Sequence, residues 1–267
     1  MNAPAPAVSL TPVEDGIARL AIASDEAPYL DAAVIPALEA AVQAIDADRG
    51  IRAVVVEGGD RHFSAGASRE ALVGADARAG IARFCAEAPR LLLSIPVPTV
   101  AAMVGHAIGG GLLLGLYCDV AVLAEESLYG ANFLALGFTP GMGSTALLEG
   151  EVGAPLAREM LFTGRLFKGR ELKAAGGPLA HAVHPRAAVR ERALAVAREM
   201  AAAPREASVL LKRALAARRL ERFEAALGLE TAMHATLFAR GETRARIAQE
   251  YARPGEDPAG KAGEGGR

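Results

Sequence analysis

The sequence predicts an α/β fold in which parallel strands are joined by crossover helices, followed by a wholly helical C-terminal region. Two patterns carry that expectation. Short apolar runs with strand character alternate with longer segments of helical periodicity, an order that suits parallel pairing through helical connections. The apolar content is 52% against only 4% aromatic, and it is largely Ala, Leu and Val, which suits closely packed helices and buried strands.

The elements follow in order. Residues 1–13 open on an Ala/Pro-rich leader and are read as disordered. Gly16–Ala23 alternates like a strand, and Ala33–Arg49 carries helical spacing through Val34, Leu38, Val42 and Ile45. A strand at Ala53–Glu57 comes next, then the turn Phe63-Ser-Ala-Gly-Ala67 and a helix around Ala79–Ser94. A further strand ends at Val104, a helix starts at Gly109 and runs through Leu112–Tyr117, and a short strand occupies Val120–Ala124. From Pro185 the chain reads helical, with a break at Pro204 and a long helix from Glu206 to about Tyr251. The last residues are rich in Gly, Pro, Lys and Glu and are read as a disordered tail. The domain reading is thus leader 1–13, core 14–195, C-terminal helical region 196–252 and tail 253–267.

Charge and cysteine content exclude several functions. A formal net charge of −2 gives no electrostatic argument for nucleic acid or an anionic membrane, and the arginines of the C-terminal helices are read as solvated. Two cysteines, Cys85 and Cys118, support neither a disulfide framework nor a metal site and are read as buried small residues. No signal peptide or membrane-spanning run is recognised, so the expected location is the cytoplasm.

The chemistry is concentrated at Thr99-Val-Ala-Ala-Met-Val-Gly-His-Ala-Ile-Gly-Gly-Gly111, where an apolar strand meets three glycines and a helix. Bare backbone N–H groups at such a junction attract negative charge. Close helix packing is the alternative reading of the same glycines. A second donor is expected from the turn ending at Ala67, and two converging amides make an oxyanion hole for a thioester carbonyl on its way to an enolate. In the last long helix, Leu220, Phe223, Leu227, Glu230 or Thr231, and His234 recur at three- or four-residue steps, which turns His234 inward.

These segments, with Leu136-Gly-Phe-Thr-Pro-Gly-Met-Gly143, Cys118-Asp119 and Thr163-Gly164, resemble the crotonase, or enoyl-CoA hydratase/isomerase, superfamily from Gly16 to about Tyr251. The resemblance implies a spiral of repeated ββα units with a C-terminal helical trimerisation region, assembled as a homotrimer or a hexamer. It maps the oxyanion donors onto Ala67 and Gly110. Hydratases of the superfamily carry two glutamates at positions that here hold Leu113 and Phe133. A hydratase needs such a pair to hold and deprotonate water.

Within the superfamily the chain is similar to the decarboxylases of polyketide β-branching, which act on an acyl carrier protein bearing a phosphopantetheine thioester. The likeness rests on Asn132-Phe-Leu-Ala-Leu-Gly-Phe-Thr-Pro-Gly-Met-Gly-Ser-Thr145, Gly111–Asp119 and Met233-His234. In that group a lysine and a histidine contact the departing carboxylate; the histidine maps to His234, and the lysine position is Arg69, a planar fork in place of a point charge. The implied catalytic set is Ala67, Gly110, His234 and Arg69, with Leu113, Phe133, Asn132 and His106 around the substrate and no metal or cofactor. Bland readings stand beside these: Arg69 as a surface or phosphate-contacting arginine, His234 as an interior or interface residue, His106 as a packing residue, and His62, His181 and His184 as solvated loop residues. Three classes of function therefore remain: a β-branching decarboxylase, another lyase or isomerase acting on an acyl-CoA, and a non-catalytic thioester-binding protein.

Overall fold

The computed structural model describes residues 8–23, 29–31, 33–74, 77–238 and 246. The expected tail, and the last helix beyond residue 238 apart from 246, lie outside those residues. Within the segment read as a leader, Ser9–Glu14 forms an edge strand, β1, and residues 1–7 lie outside the described residues.

After β1 the chain winds in repeated turns, each laying a strand in a large sheet, a shorter strand beside it and then helix. The first turn is β2 (Ile17–Ala21), β3 (Tyr29–Leu30) and α1 (Val34–Ala47); the second is β4 (Ala53–Glu57), β5 (His62–Ser64), β6 (Gly66–Ala67), α2 (Arg69–Val73) and α3 (Ala77–Ser94). The third is β7 (Thr99–Met103), β8 (His106–Ile108) and α4 (Gly110–Leu116), and the fourth is β9 (Val120–Ala124), β10 (Leu128–Gly130), α5 (Ser144–Val152) and α6 (Ala154–Thr163). The described residues continue through β11 (Phe167–Lys168), α7 (Gly169–Ala174), β12 (Val183–His184), α8 (Val189–Ala202) and α9 (Arg205–Phe238).

The large sheet has the order β1-β2-β4-β7-β9-β12 and is parallel from β2 to β12; a smaller one has the order β11-β10-β8-β5, and β3 pairs with β6. Both faces of the large sheet are covered, which explains why its strands read as continuous apolar runs. Val54, Val56, Ala101, Met103 and Leu123 face the main core, while Val55, Val100, Ala102 and Val122 face α8. From α8 come Val189, Ala193, Ala197 and Ala201, four-residue steps that place small side chains on one face. The boundary drawn at 195/196 falls inside this helix.

The C-terminal cations are not simply solvated. Lys212 on α9 is 4% exposed and donates to both carboxylate oxygens of Asp119 at 2.9 and 2.8 Å. Asp119 in turn accepts from the Thr99 N–H at 2.8 Å and the Thr99 hydroxyl at 2.9 Å, tying the start of β7 to the segment after α4. Two turns further along the same face, the Arg219 guanidinium donates to the carbonyls of Leu116, Tyr117 and Cys118. A cation is well placed there, because the last carbonyls of α4 carry the negative end of its dipole. Among the described residues no helix is long and apolar enough to cross a membrane.

Removing one partner of a buried pair strands the other charge, so Lys212→Ala should cost about 3–5 kcal/mol of unfolding free energy. Arg83→Ala, which breaks an exposed Arg83–Glu87 pair, should shift it by less than about 1 kcal/mol. Urea unfolding midpoints of the two variants, measured side by side, check the contrast.

Candidate active site

The site begins where the second and third turns of the spiral touch. Gly66 has φ +80°, and a Cβ placed on it would lie 2.8 Å from the Ile108 carbonyl oxygen and 3.4 Å from the Gly110 nitrogen. Only glycine permits both the left-handed backbone and that approach. Gly66 donates its N–H to the Ser64 hydroxyl at 3.2 Å, and Ala67 pairs in register with Leu30 across β3 and β6. Gly109, at φ 57° and ψ −126°, turns the chain from β8 into α4, and no side chain caps that helix. The amide of Gly110 is therefore presented at an uncapped helix start beside the Gly66–Ala67 strand.

The surroundings of this turn are apolar. A Cβ on Gly110 would meet the Met142 sulfur at 3.1 Å and Leu30 and Phe84 at 3.8 Å each. A Cβ on Gly109 would meet the Asn132 Oδ1 at 3.4 Å and the Phe133 ring at 3.8 Å. Phe133 is buried and packs edge-on against Phe138 with centroids 5.7 Å apart. Leu113 is fully buried in the first turn of α4. Asn132 and Phe133 thus lie against the glycine turn, Ala67 follows directly on the Gly66 that packs on it, and neither Leu113 nor Phe133 offers a carboxylate to hold water.

Met142 has φ 60°, rare for a residue with a side chain, and its carbonyl accepts from the Tyr117 hydroxyl at 2.6 Å. Glu230 on α9 is 1% exposed and accepts from the Gly143 N–H at 2.7 Å, the Thr145 N–H at 2.9 Å and the Thr145 hydroxyl at 2.8 Å. One turn on, the His234 Nε2 lies 2.8 Å from the Thr139 carbonyl oxygen. Since that oxygen can only accept, Nε2 carries a proton. His234 is half-buried and lines a cavity of about 180 Å³ with Cys85, Gly141, Leu227 and Glu230, between α3 and α9. It meets the glycine turn through one intermediary: Gly141 packs on His234, and the adjacent Met142 packs on Gly110. Arg69 stands half-buried at the first position of α2, two residues beyond Ala67, with Ser68 capping that helix by accepting from the Ala71 N–H.

Other residues are corrected. His106 serves the sheet: its Nδ1 accepts from the Leu128 N–H at 2.9 Å and its ring lies edge-on to His62 at 5.5 Å. It sits at the start of β8, opposite the end that feeds the glycine turn, a place that favours its reading as a packing residue. His62 is buried in β5 rather than solvated and His184 is half-buried in β12, while His181 is exposed as expected. Tyr129 is also structural, accepting from the Ala124 N–H and donating to the Met103 carbonyl, both at 2.7 Å. Sequence reasoning missed Met142, Leu30, Phe84 and the role of Glu230. A single carboxylate on an apolar helical stripe, and a methionine between two glycines, were the available signals.

Comparison with known proteins places the chain in a family. The enoyl-CoA hydratase/isomerase family matches residues 14–253. The bacillaene synthase decarboxylase PksI of Bacillus subtilis is 36% identical over 201 residues, covering 75% of this chain and 79% of that protein. The ECH2 decarboxylase domain of CurF from Lyngbya majuscula superposes with a TM-score of 0.81 at 31% identity, over 92% of this chain and 100% of that one. A structure from a dehydratase/decarboxylase couple involved in polyketide β-branching gives 0.83 at 33% identity, over 91% and 96% of the two chains.

Burial pushes both thiols up to about 12, with Glu230 adding to the effect at Cys85 and Asp119 at Cys118. An unfolded thiol ionises near pH 8.5, so above that pH the unfolded state loses protons that the folded state keeps. Stability conferred by the protonated thiols is complete below about pH 8.5 and should fall as pH rises toward 12. At pH 8 an aromatic disulfide reagent should leave the buried Cys118 untouched in the native protein, reach the half-buried Cys85 only slowly, and find both of the 2 in denaturant.

Proposed function

Because the chain belongs to the enoyl-CoA hydratase/isomerase family, we propose that it is a decarboxylase of polyketide β-branching, converting a 3-methylglutaconyl-type thioester on an acyl carrier protein to a 3-methylcrotonyl-type thioester. The observation that carries the reading is the Gly110 amide set in an apolar collar of Met142, Leu30 and Phe84, with Leu113 and Phe133 where a hydratase holds its acids. Similarity to PksI and to the CurF domain supports the decarboxylase class.

In this reading the bond to the distal carboxylate breaks and CO2 leaves. The electron pair moves through the double bond into the thioester carbonyl, and the dienolate oxygen is held by the N–H groups of Ala67 and Gly110. Donors aimed at a developing oxyanion act most strongly where water is excluded. Apolar walls also leave the localised carboxylate poorly solvated relative to the charge-dispersed transition state. Arg69 orients the carboxylate across the π system. A tight bidentate pair there would stabilise the ground state and slow the reaction, so an oblique contact is the useful one. His234, whose Nε2 lies against the Thr139 carbonyl, stands at the carboxylate end and, when its ring is protonated, returns the proton that quenches the dienolate. Assembly as a homotrimer, or a hexamer of two trimers, accompanies the reading. Leu210, Leu211 and Leu215 lie exposed along α9 and support association of that helix.

Incubation with the 3-methylglutaconyl thioester on an acyl carrier protein and on CoA, followed by intact mass, tests the proposal. Loss of CO2, faster on the carrier protein, is expected; gain or loss of water alone, or no change, would overturn it. Gly110 is the first residue of α4, where proline is tolerated, so Gly110→Pro removes the donor and spares the helix. It should lower kcat by about 10²–10³-fold. Gly110→Ala keeps the N–H and crowds the Met142 sulfur by only a few tenths of an ångström, so it should lose less than Gly110→Pro.

A further inference from the structure

We infer that Glu230 is a positioning residue that fixes the Met142 thioether against Gly110 and thereby keeps water from the oxyanion donor. The inference rests on the reading of Gly110 as the thioester donor.

Four observations converge on the segment from Thr139 to Thr145. Met142 holds a left-handed backbone at φ 60°, a conformation that persists in a residue with a Cβ only where its surroundings over-determine it. The constraint comes from both sides: the Tyr117 hydroxyl donates to the Met142 carbonyl, and Glu230 takes the next amide, that of Gly143, together with the N–H and hydroxyl of Thr145. Two hydroxyls of the segment, Thr139 Oγ1 and Ser144 Oγ, are buried without a hydrogen-bond partner. A segment that keeps a strained residue and two unsatisfied hydroxyls is held where it is against its local preference. What that arrangement achieves is visible at Met142: its sulfur lies 3.1 Å from the Cβ position of Gly110.

Glu230 is not among the atoms nearest Gly66, Gly109 or Gly110, although it shares a cavity with His234, so its effect on Gly110 passes through Met142. Its two oxygens accept three hydrogen bonds and donate none. Glu230→Gln replaces one acceptor with an NH2 group facing an N–H donor, which frees the segment to relax while leaving the side-chain volume unchanged. Small displacements of groups bordering a reacting centre lower the rate more than the affinity.

The test is a double-mutant cycle with Met142→Gly, which adopts the same backbone without strain and removes the thioether. Each single variant should lower kcat for CO2 loss by about 10–10²-fold with little change in KM. The double variant should be no slower than the slower single. Multiplied losses, or an unchanged kcat in Glu230→Gln, would overturn the inference. A readout independent of turnover separates it from the function itself: in protein labelled at the methionine methyls, the Met142 resonance should move on adding butyryl pantetheine and should already be displaced in Glu230→Gln. If the wild type releases no CO2, the proposed function fails. A Met142 resonance that ignores the substitution at Glu230 defeats the positioning role on its own, whatever the activity.

Discussion

Everything at the site depends on two backbones lying in contact. The Gly66–Ala67 strand and the Gly109–Gly110 turn belong to successive turns of the spiral, and they approach this closely only because Gly66 places no side chain between them. A Cβ on Gly66 would press on the Ile108 carbonyl and push the strand off the turn. The large parallel sheet sets this contact: β4 and β7 are adjacent and in register, so the segments that leave their ends, through β5–β6 and β8, arrive side by side. Local backbone chemistry and global topology therefore specify the same point.

α9 is the second determinant. Arg219 satisfies the last carbonyls of α4, and Lys212 pairs with the aspartate just beyond it; Glu230 satisfies the first amides of α5, and His234 the Thr139 carbonyl. One long helix thus reads the far end of α4 and the segment that packs on its near end. Ions held this far from water are costly unless every lone pair and proton is matched, and those of Glu230 and Asp119 are well matched. The arrangement explains why cations and a carboxylate interrupt an otherwise apolar face, a pattern that periodicity alone reads as solvated surface.

Much of this was legible in the sequence. The five-residue strands Ala53–Glu57 and Val120–Ala124, the α1 and α3 helices and the glycine turn all lie where residue pattern places them, because each is long enough, or punctuated strongly enough, to declare itself. The three-residue strands β5, β8 and β10 were not legible, since alternation has no length in which to appear. His62 and His106 were accordingly assigned to turns or to the substrate, although they pair two of those strands. Lys212 and Asp119 are separated by 93 residues, and no local signal joins them. The stripe of α9 left Glu230 and Thr231 as alternatives; burial chooses Glu230, and the reason lies in the amides of another element. At the candidate site, the glycine amides and the absent acids could be read directly, while the collar of Leu30, Phe84 and Met142 comes from three distant segments and required the fold.

The central claim is that the paired amides polarise a thioester carbonyl in a dry pocket. Difference infrared spectroscopy of a bound 3-methylcrotonyl thioester, labelled with ¹³C at the carbonyl, tests it most directly. The account predicts a carbonyl stretch at lower frequency than in water, with the shift lost in Gly110→Pro and kept in Gly110→Ala. A bound carbonyl that absorbs as it does in water, or a shift that survives loss of the Gly110 N–H, would contradict it.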